Sequence, residues 1–123
     1  MKKAERSELA DRDNALFEAG IKLGALYHQF TGAPVNLDTI ESLEKAIEKS
    51  ISLQPYVQDI KVNINKKMVQ QKLNKFGYCE LEGKMLKVQI LVVFGSVSVY
   101  ARLKYMEDLD YPMMYVEEVI NKV

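Results

Sequence analysis

The chain has 123 residues, 48% of them hydrophobic and 28% charged, with 17 Lys and Arg against 17 Asp and Glu. This is the balance of a folded chain rather than a disordered one, and zero net charge lacks the basic footprint of a nucleic-acid binder. One cysteine, Cys79, and one histidine, His28, exclude an intrachain disulfide and any spaced set of zinc ligands.

The length favours one domain over residues 1–123. Met1-Lys2-Lys3 is basic, but residues 4–13 are charged rather than apolar, so a secretory signal is not expected. The longest apolar run, Ile90-Leu91-Val92-Val93-Phe94, is far too short to span a bilayer. A reduced, cytoplasmic compartment fits, with no membrane and no nucleic acid among the partners.

The first predicted element is a helix over residues 7–30, because Ala15, Leu16, Ala19, Leu23, Leu26 and Phe30 recur at helical spacing. Gly32 suits a left-handed stop, and Pro34 cannot continue the helix. A second helix is predicted from Asp38, with Glu41 as the return partner of a capping box. Its inward stripe is Ile40, Leu43, Ala46, Ile47 and Ile51.

After Pro55 the period becomes two: Ile60, Val62 and Ile64 alternate with Lys61, Asn63 and Asn65, the pattern of a half-buried strand. Residues 67–76 allow a short helix through Met68, Lys72 and Phe76, ended by Gly77. Two strands, residues 78–81 and 85–94, flank Glu82-Gly83, which is read as a tight turn. Residues 96–105 alternate through Val97, Val99, Ala101 and Leu103, with a turn or bulge at Phe94-Gly95. A last helix is predicted near Pro112, carrying Met113, Val116, Val119 and Ile120 inward. Helices in the first half and hairpin-linked strands in the second argue an α+β class, an antiparallel sheet covered by helices.

No phosphate-binding, dinucleotide-binding, nucleophile-elbow or zinc-protease motif is present. Polar residues at unexpected places remain. Glu18, Ile21, Ala25 and His28 step by three, four and three along one side of the first helix. Glu18 and His28 lie about 15 Å apart along the axis, too far to touch. Gly20 and Gly24 are each about 1 kcal/mol worse than alanine inside a helix, so close packing of a helix or a flat ligand is expected there. Glu18 also stands four residues before Lys22, the spacing of an ordinary helix ion pair. His28 also suits a helix C-terminus. Gln54 carries a donor and an acceptor that could read a heteroaromatic edge, or could simply fill a turn before Pro55. Tyr105 and Tyr111 are both candidate proton-transfer groups, or rings packed with exposed hydroxyls.

The block Phe17-Glu18-Ala19-Gly20-Ile21-Lys22-Leu23-Gly24-Ala25-Leu26-Tyr27-His28-Gln29-Phe30, with Thr31-Gly32-Ala33-Pro34-Val35 after it, resembles the archaeal dihydroneopterin aldolase family of methanopterin and related pterin biosynthesis. A second matching block runs from Ser42-Leu43-Glu44-Lys45-Ala46-Ile47-Glu48 to Gln54-Pro55-Tyr56-Val57. The likeness covers nearly the whole chain.

The resemblance implies a lyase that splits 7,8-dihydroneopterin into 6-hydroxymethyl-7,8-dihydropterin and glycolaldehyde. It implies no cofactor, no metal and no lysine Schiff base, because the pterin's own C6=N5 imine can accept the electrons. Carried over by position, Glu18 would anchor the pterin, His28 and Gln54 would position substrate or a water, Tyr105 would be the acid–base group, and Tyr111 would contact substrate. The catalytic lysine of the bacterial aldolases does not carry over; Lys22 and Lys104 stay open. The resemblance also implies a homotetramer, with the site possible between chains. The alternative is a non-catalytic pterin or small-molecule binding protein of the same fold; a third class is a purely structural oligomerisation module.

Overall fold

The structure is a computed structural model that describes residues 8–121. Helix α1 spans Asp11–Phe30; Ser7, the expected start, lies outside the described residues. Asp11 and Asp13 sit in its first turn, where the helix dipole favours negative charge. Ala15, Ala19, Leu23 and Leu26 are buried, and Leu16 and Phe30 pack against them from the margin. The helix stops where Thr31 Oγ1 donates to the Tyr27 carbonyl (2.7 Å). The chain then turns through Gly32, with φ +94°, into the two-residue strand β1, Pro34–Val35.

Helix α2 spans Ile40–Ser52, two residues later than predicted. The expected box between Asp38 and Glu41 is not what starts it. Asn36 Oδ1 accepts from the backbone N–H of Asp38 and Thr39 (2.9 and 3.0 Å), while Thr39 Oγ1 accepts from Asn36 N–H (3.0 Å). That local turn occupies the residues the box would need. Ile40, Ile47 and Ile51 are buried and Leu43 half-buried, but Ala46 is exposed. The helix is rotated so that Glu44 and Glu48, rather than Ala46, flank its apolar stripe.

The next strand, β2, spans Val57–Ile64, with Ile60, Val62 and Ile64 inward as predicted. Helix α3 covers only Lys66–Lys72 and buries Val69; its cap is Asn65, whose side chain accepts from Met68 N–H (3.0 Å). Phe76, expected on its inner face, lies beyond the helix and is exposed, because Asn74 folds residues 74–78 into a separate turn.

The predicted hairpin at Glu82-Gly83 does not form. Strand β3, Cys79–Glu80, pairs with β1 in a small sheet of its own, and Gly83–Met85 is a 3-10 turn. Gly83 has a packing reason: a Cβ there would meet the Tyr27 hydroxyl at 2.2 Å. Strands β4, Leu86–Phe94, and β5, Val97–Met106, do form a tight hairpin. Gly95 takes its first turn position with φ +58°, a glycine conformation suited to the strand twist. Asp11 accepts from Ser96 N–H (3.1 Å) and ties that turn to the start of α1.

The predicted C-terminal helix is instead a strand, β6, Tyr111–Asn121, paired along its length with β5. Tyr115, Val116, Val119 and Ile120 favour a pleated surface, Pro112 is tolerated near a strand's start, and the free side of β5 supplied partners for the backbone. An inward spacing of three and four residues does not separate the two readings by itself.

The main sheet is antiparallel in the order β2-β4-β5-β6. Helix α1 lies over β4 and β5 and reaches β6; α2 lies over β2. This confirms the α+β class with an antiparallel sheet, its helices confined to one face. Between helices and sheet sit Leu23, Leu26, Ile47, Ile51, Val88, Ile90, Val99 and Leu103, all buried. The opposite face presents Lys61, Asn63, Lys87, Gln89, Arg102 and Lys104.

Candidate functional site

The sheet has two ends, and the sequence-predicted site residues are divided between them. At the β4–β5 hairpin end, Gln54 is half-buried in the turn joining α2 to β2. Next to it Tyr56 adopts φ +72°. Its carbonyl accepts from Val93 N–H (2.9 Å), and its ring lies 4.8 Å from that of Phe94. At the other end, Tyr105 closes β5 and Tyr111 opens β6. Tyr105 lies two residues past the Val88–Leu103 pair, at the level of Leu86, whereas Tyr56 is bonded at Val93. Seven residues of strand between those levels amount to about 23 Å. Within one chain, Gln54 and Tyr105 do not meet.

Helix α1 runs between these ends. Its first residue, Asp11, touches the hairpin turn. Tyr27, in its last turn, lines a shallow groove with Tyr111, Pro112, Met113 and Met114. The exposed His28 therefore belongs to the Tyr105 end. Glu18, ten residues earlier, is buried, and its Oε1 accepts from Lys22 Nζ at 3.0 Å. The ordinary i,i+4 pairing is thus formed. Along that side the covering differs: Glu18 is buried, whereas His28 is exposed, as are Phe17, Ile21 and Gly24. A Cβ at Gly20 or Gly24 would meet nothing within 4 Å. The close packing that these glycines suggested is not found among the described residues.

Chemistry concentrates at the Tyr105 end. The Tyr105 hydroxyl donates to Asp110 Oδ1 at 2.5 Å, and Lys84 Nζ lies 3.0 Å from the same oxygen. Lys84 also lies 5.8 Å from the centre of the Tyr105 ring. The hydrogen bond to Asp110 pushes the phenol up from its ordinary value, aided by partial burial and by the Asp110 charge. The same bond, with Lys84, holds the Asp110 carboxyl down, and Asp110 in turn raises Lys84. All three therefore persist at neutral pH as phenol, carboxylate and ammonium, with the phenol's proton directed at Asp110. Asn65, Met68, Lys84, Lys87, Lys104, Tyr105 and Glu107 line a small groove beside it, about 190 Å³ in volume.

Cys79 is buried, its thiol aimed at the Val69 carbonyl (3.8 Å) and pushed up by burial, which marks it as a packing residue. No three His, Cys, Asp or Glu side chains among the described residues are placed to hold a metal ion together. No described helix is long and apolar enough to cross a membrane.

Lys84 and Asp110 were not singled out from sequence. Asp110 had a faint signal, an acidic residue five positions after Tyr105 across a strand end. Lys84 had none, since only the fold brings the 3-10 turn against the β5–β6 turn.

Comparison with known proteins bears on most of the chain. A family model described as dihydroneopterin aldolase matches residues 10–117. A protein of Picrophilus torridus named dihydroneopterin aldolase is 42% identical over 110 residues, 89% of this chain and 90% of that one. One of Methanopyrus kandleri with the same name is 43% identical over 111 residues, 90% of this chain and 91% of that one. A crystal structure of a Picrophilus torridus protein superposes with a TM-score of 0.81 at 41% identity, covering 91% and 90% of the two chains.

Proposed function

The chain belongs to the dihydroneopterin aldolase family, and on that premise we propose that it splits 7,8-dihydroneopterin into 6-hydroxymethyl-7,8-dihydropterin and glycolaldehyde. The observation that carries this reading is the match to two aldolases over nine-tenths of the chain. In support, the Tyr105 hydroxyl is held by Asp110 beside a small groove.

The reaction is a retro-aldol cleavage by acid–base chemistry, without metal or Schiff base. A base takes the proton of the side-chain hydroxyl beside the breaking bond. The electrons of that bond flow into the C6=N5 imine, and a proton donor then quenches the carbanion-equivalent centre. Tyr105 is the proposed donor, with Tyr111 beside it against substrate. His28 and Gln54 position substrate or a water. Glu18 is the proposed anchor for the pterin's amino group and adjacent N–H. In the single chain Glu18 is buried beside Lys22, so anchoring requires the substrate to displace what covers it.

A site that uses both Gln54 and Tyr105 must draw on two chains, given their separation along the sheet. A homotetramer meets that need. The exposed α1 face of Phe17, Gly20, Ile21 and Gly24 and the outer edge of β6 are surfaces on which copies could meet. A place in methanopterin or folate-type pterin synthesis in the cytoplasm completes the proposal.

The test is to incubate purified protein with 7,8-dihydroneopterin and assay glycolaldehyde. Product is expected, undiminished by EDTA or borohydride. Loss with EDTA would point to a metal, and loss with borohydride to a Schiff base. Tight pterin binding without product would favour the non-catalytic binding protein.

A further inference from the structure

We infer that Asp110 and Lys84 are positioning residues for Tyr105: the Asp110 carboxylate, clamped by Lys84, holds the phenol in one orientation at the mouth of the groove. This rests on the reading of Tyr105 as the acid–base group and extends it to two residues on other segments.

The turn is built to aim that carboxylate. Residues 107–110 connect β5 to β6, with Leu109 N–H donating to the Met106 carbonyl and Asp110 N–H to that of Glu107 (both 3.2 Å). Asp110 then takes φ +47°, a left-handed conformation that most side chains resist and that Asp and Asn tolerate best. The arrangement turns the side chain back onto Tyr105, five residues earlier, so that one oxygen meets both the phenol and Lys84.

Stability does not explain this cluster. The Lys84 and Asp110 side chains are 46% and 68% exposed, and ion pairs so wet contribute little to folding. A phenol bonded to a single fixed acceptor, by contrast, holds its oxygen in one direction, and a short rotation about the C–O bond turns its proton from Asp110 to the substrate. The charged groups around Tyr105 come from several elements: Asp110 and Glu107 from the turn, Lys84 from the 3-10 turn, and Lys87 of β4 and Lys104 of β5 along the groove. Among them the Asp110 bond dominates, and the phenol titrates above its ordinary range.

The experiment compares wild type, Asp110→Asn, Lys84→Met and Tyr105→Phe by phenolate absorbance and by pH-dependent kinetics. Subtracting the Tyr105→Phe titration isolates Tyr105. Asparagine keeps the left-handed turn but loses the charge. In Asp110→Asn, Tyr105 is expected to ionise at lower pH, and the alkaline limb of kcat should move down with it. Its kcat should fall about tenfold or more while KM changes little. Lys84→Met should also lower kcat, yet move the Tyr105 titration upward, because a nearby cation is gone. An unmoved Tyr105 titration in Asp110→Asn, or wild-type kcat in that variant, overturns the inference. Wild-type turnover in Tyr105→Phe would instead sink the acid–base reading, leaving a shifted titration as a property of the turn alone.

Discussion

The two edges of the main sheet are treated in opposite ways. At the β2 edge, the outward N–H groups of Val62 and Ile64 are taken by Glu48 Oε2 and Glu44 Oε2 of α2, at 2.8 and 2.7 Å. The helix that covers the strand's face also closes its side. At the β6 edge the sheet simply ends among the described residues, with Tyr111, Val116 and Ile120 exposed by 55, 47 and 38%. Gln89 and Arg102 hold Glu117 from β4 and β5, but on the sheet's open face rather than along its edge. A long apolar edge strand invites another chain, and natural proteins either blunt such an edge or use it. The closed edge is finished within the chain, and the open edge, whose turn carries the Tyr105 cluster, is left free to meet another chain.

That contrast can be broken by substitutions on either side. Tyr105→Phe, at the open side, should lower kcat by about 100-fold or more while leaving the thermal midpoint in place, as read by steady-state assay and calorimetry. A matching loss of stability would show that the turn serves folding instead. Glu44→Ala with Glu48→Ala, at the closed side, should cost about 3 kcal/mol in urea unfolding, since each charge-assisted bond contributes roughly 1.5 kcal/mol. The double variant should also aggregate, having gained a second open edge. A stability equal to wild type would mean that water caps those N–H groups as well as the carboxylates do.

Val116→Lys places a charge on the open strand. It should break up the proposed homotetramer in sedimentation while the circular dichroism of the chain is retained. An unchanged assembly would remove β6 from the interface and leave the α1 face. Gly83→Ala, beneath the Tyr105 end, forces the Tyr27 ring aside and should cost only about 1 kcal/mol, because the tip of a flexible ring can yield. A much larger loss would show that Tyr27 has nowhere to go.

Glu18 shows how far the sequence could be read at the site. The residue itself stood out, and its spacing from Lys22 announced the ion pair that the fold contains. Its burial did not follow from spacing, since Glu18 sits at the margin of the apolar stripe and the sheet decides which flank is covered. For Tyr105 the sequence marked the residue and missed what holds it. Lys84 arrives from a segment 21 positions earlier, brought there by strand pairing. The Gln54–Tyr105 separation was likewise invisible until the register of β4 against β2 and β5 set them at opposite ends.

The sequence alone determined what depends on near neighbours and on family likeness. The buried faces of α1, β2 and β5 follow from periods of 3.6 and 2, because a local repeat and a single apolar side are enough to specify them. The residues that mark the aldolase family lie in continuous blocks. What only the tertiary structure decided was where unsatisfied backbone groups found partners. β6 became a strand because β5 offered a row of donors and acceptors, β3 left β4 for β1, and α2 turned Glu44 and Glu48 toward β2. Each choice compares hydrogen bonds between segments far apart in the chain, and no local period encodes that comparison.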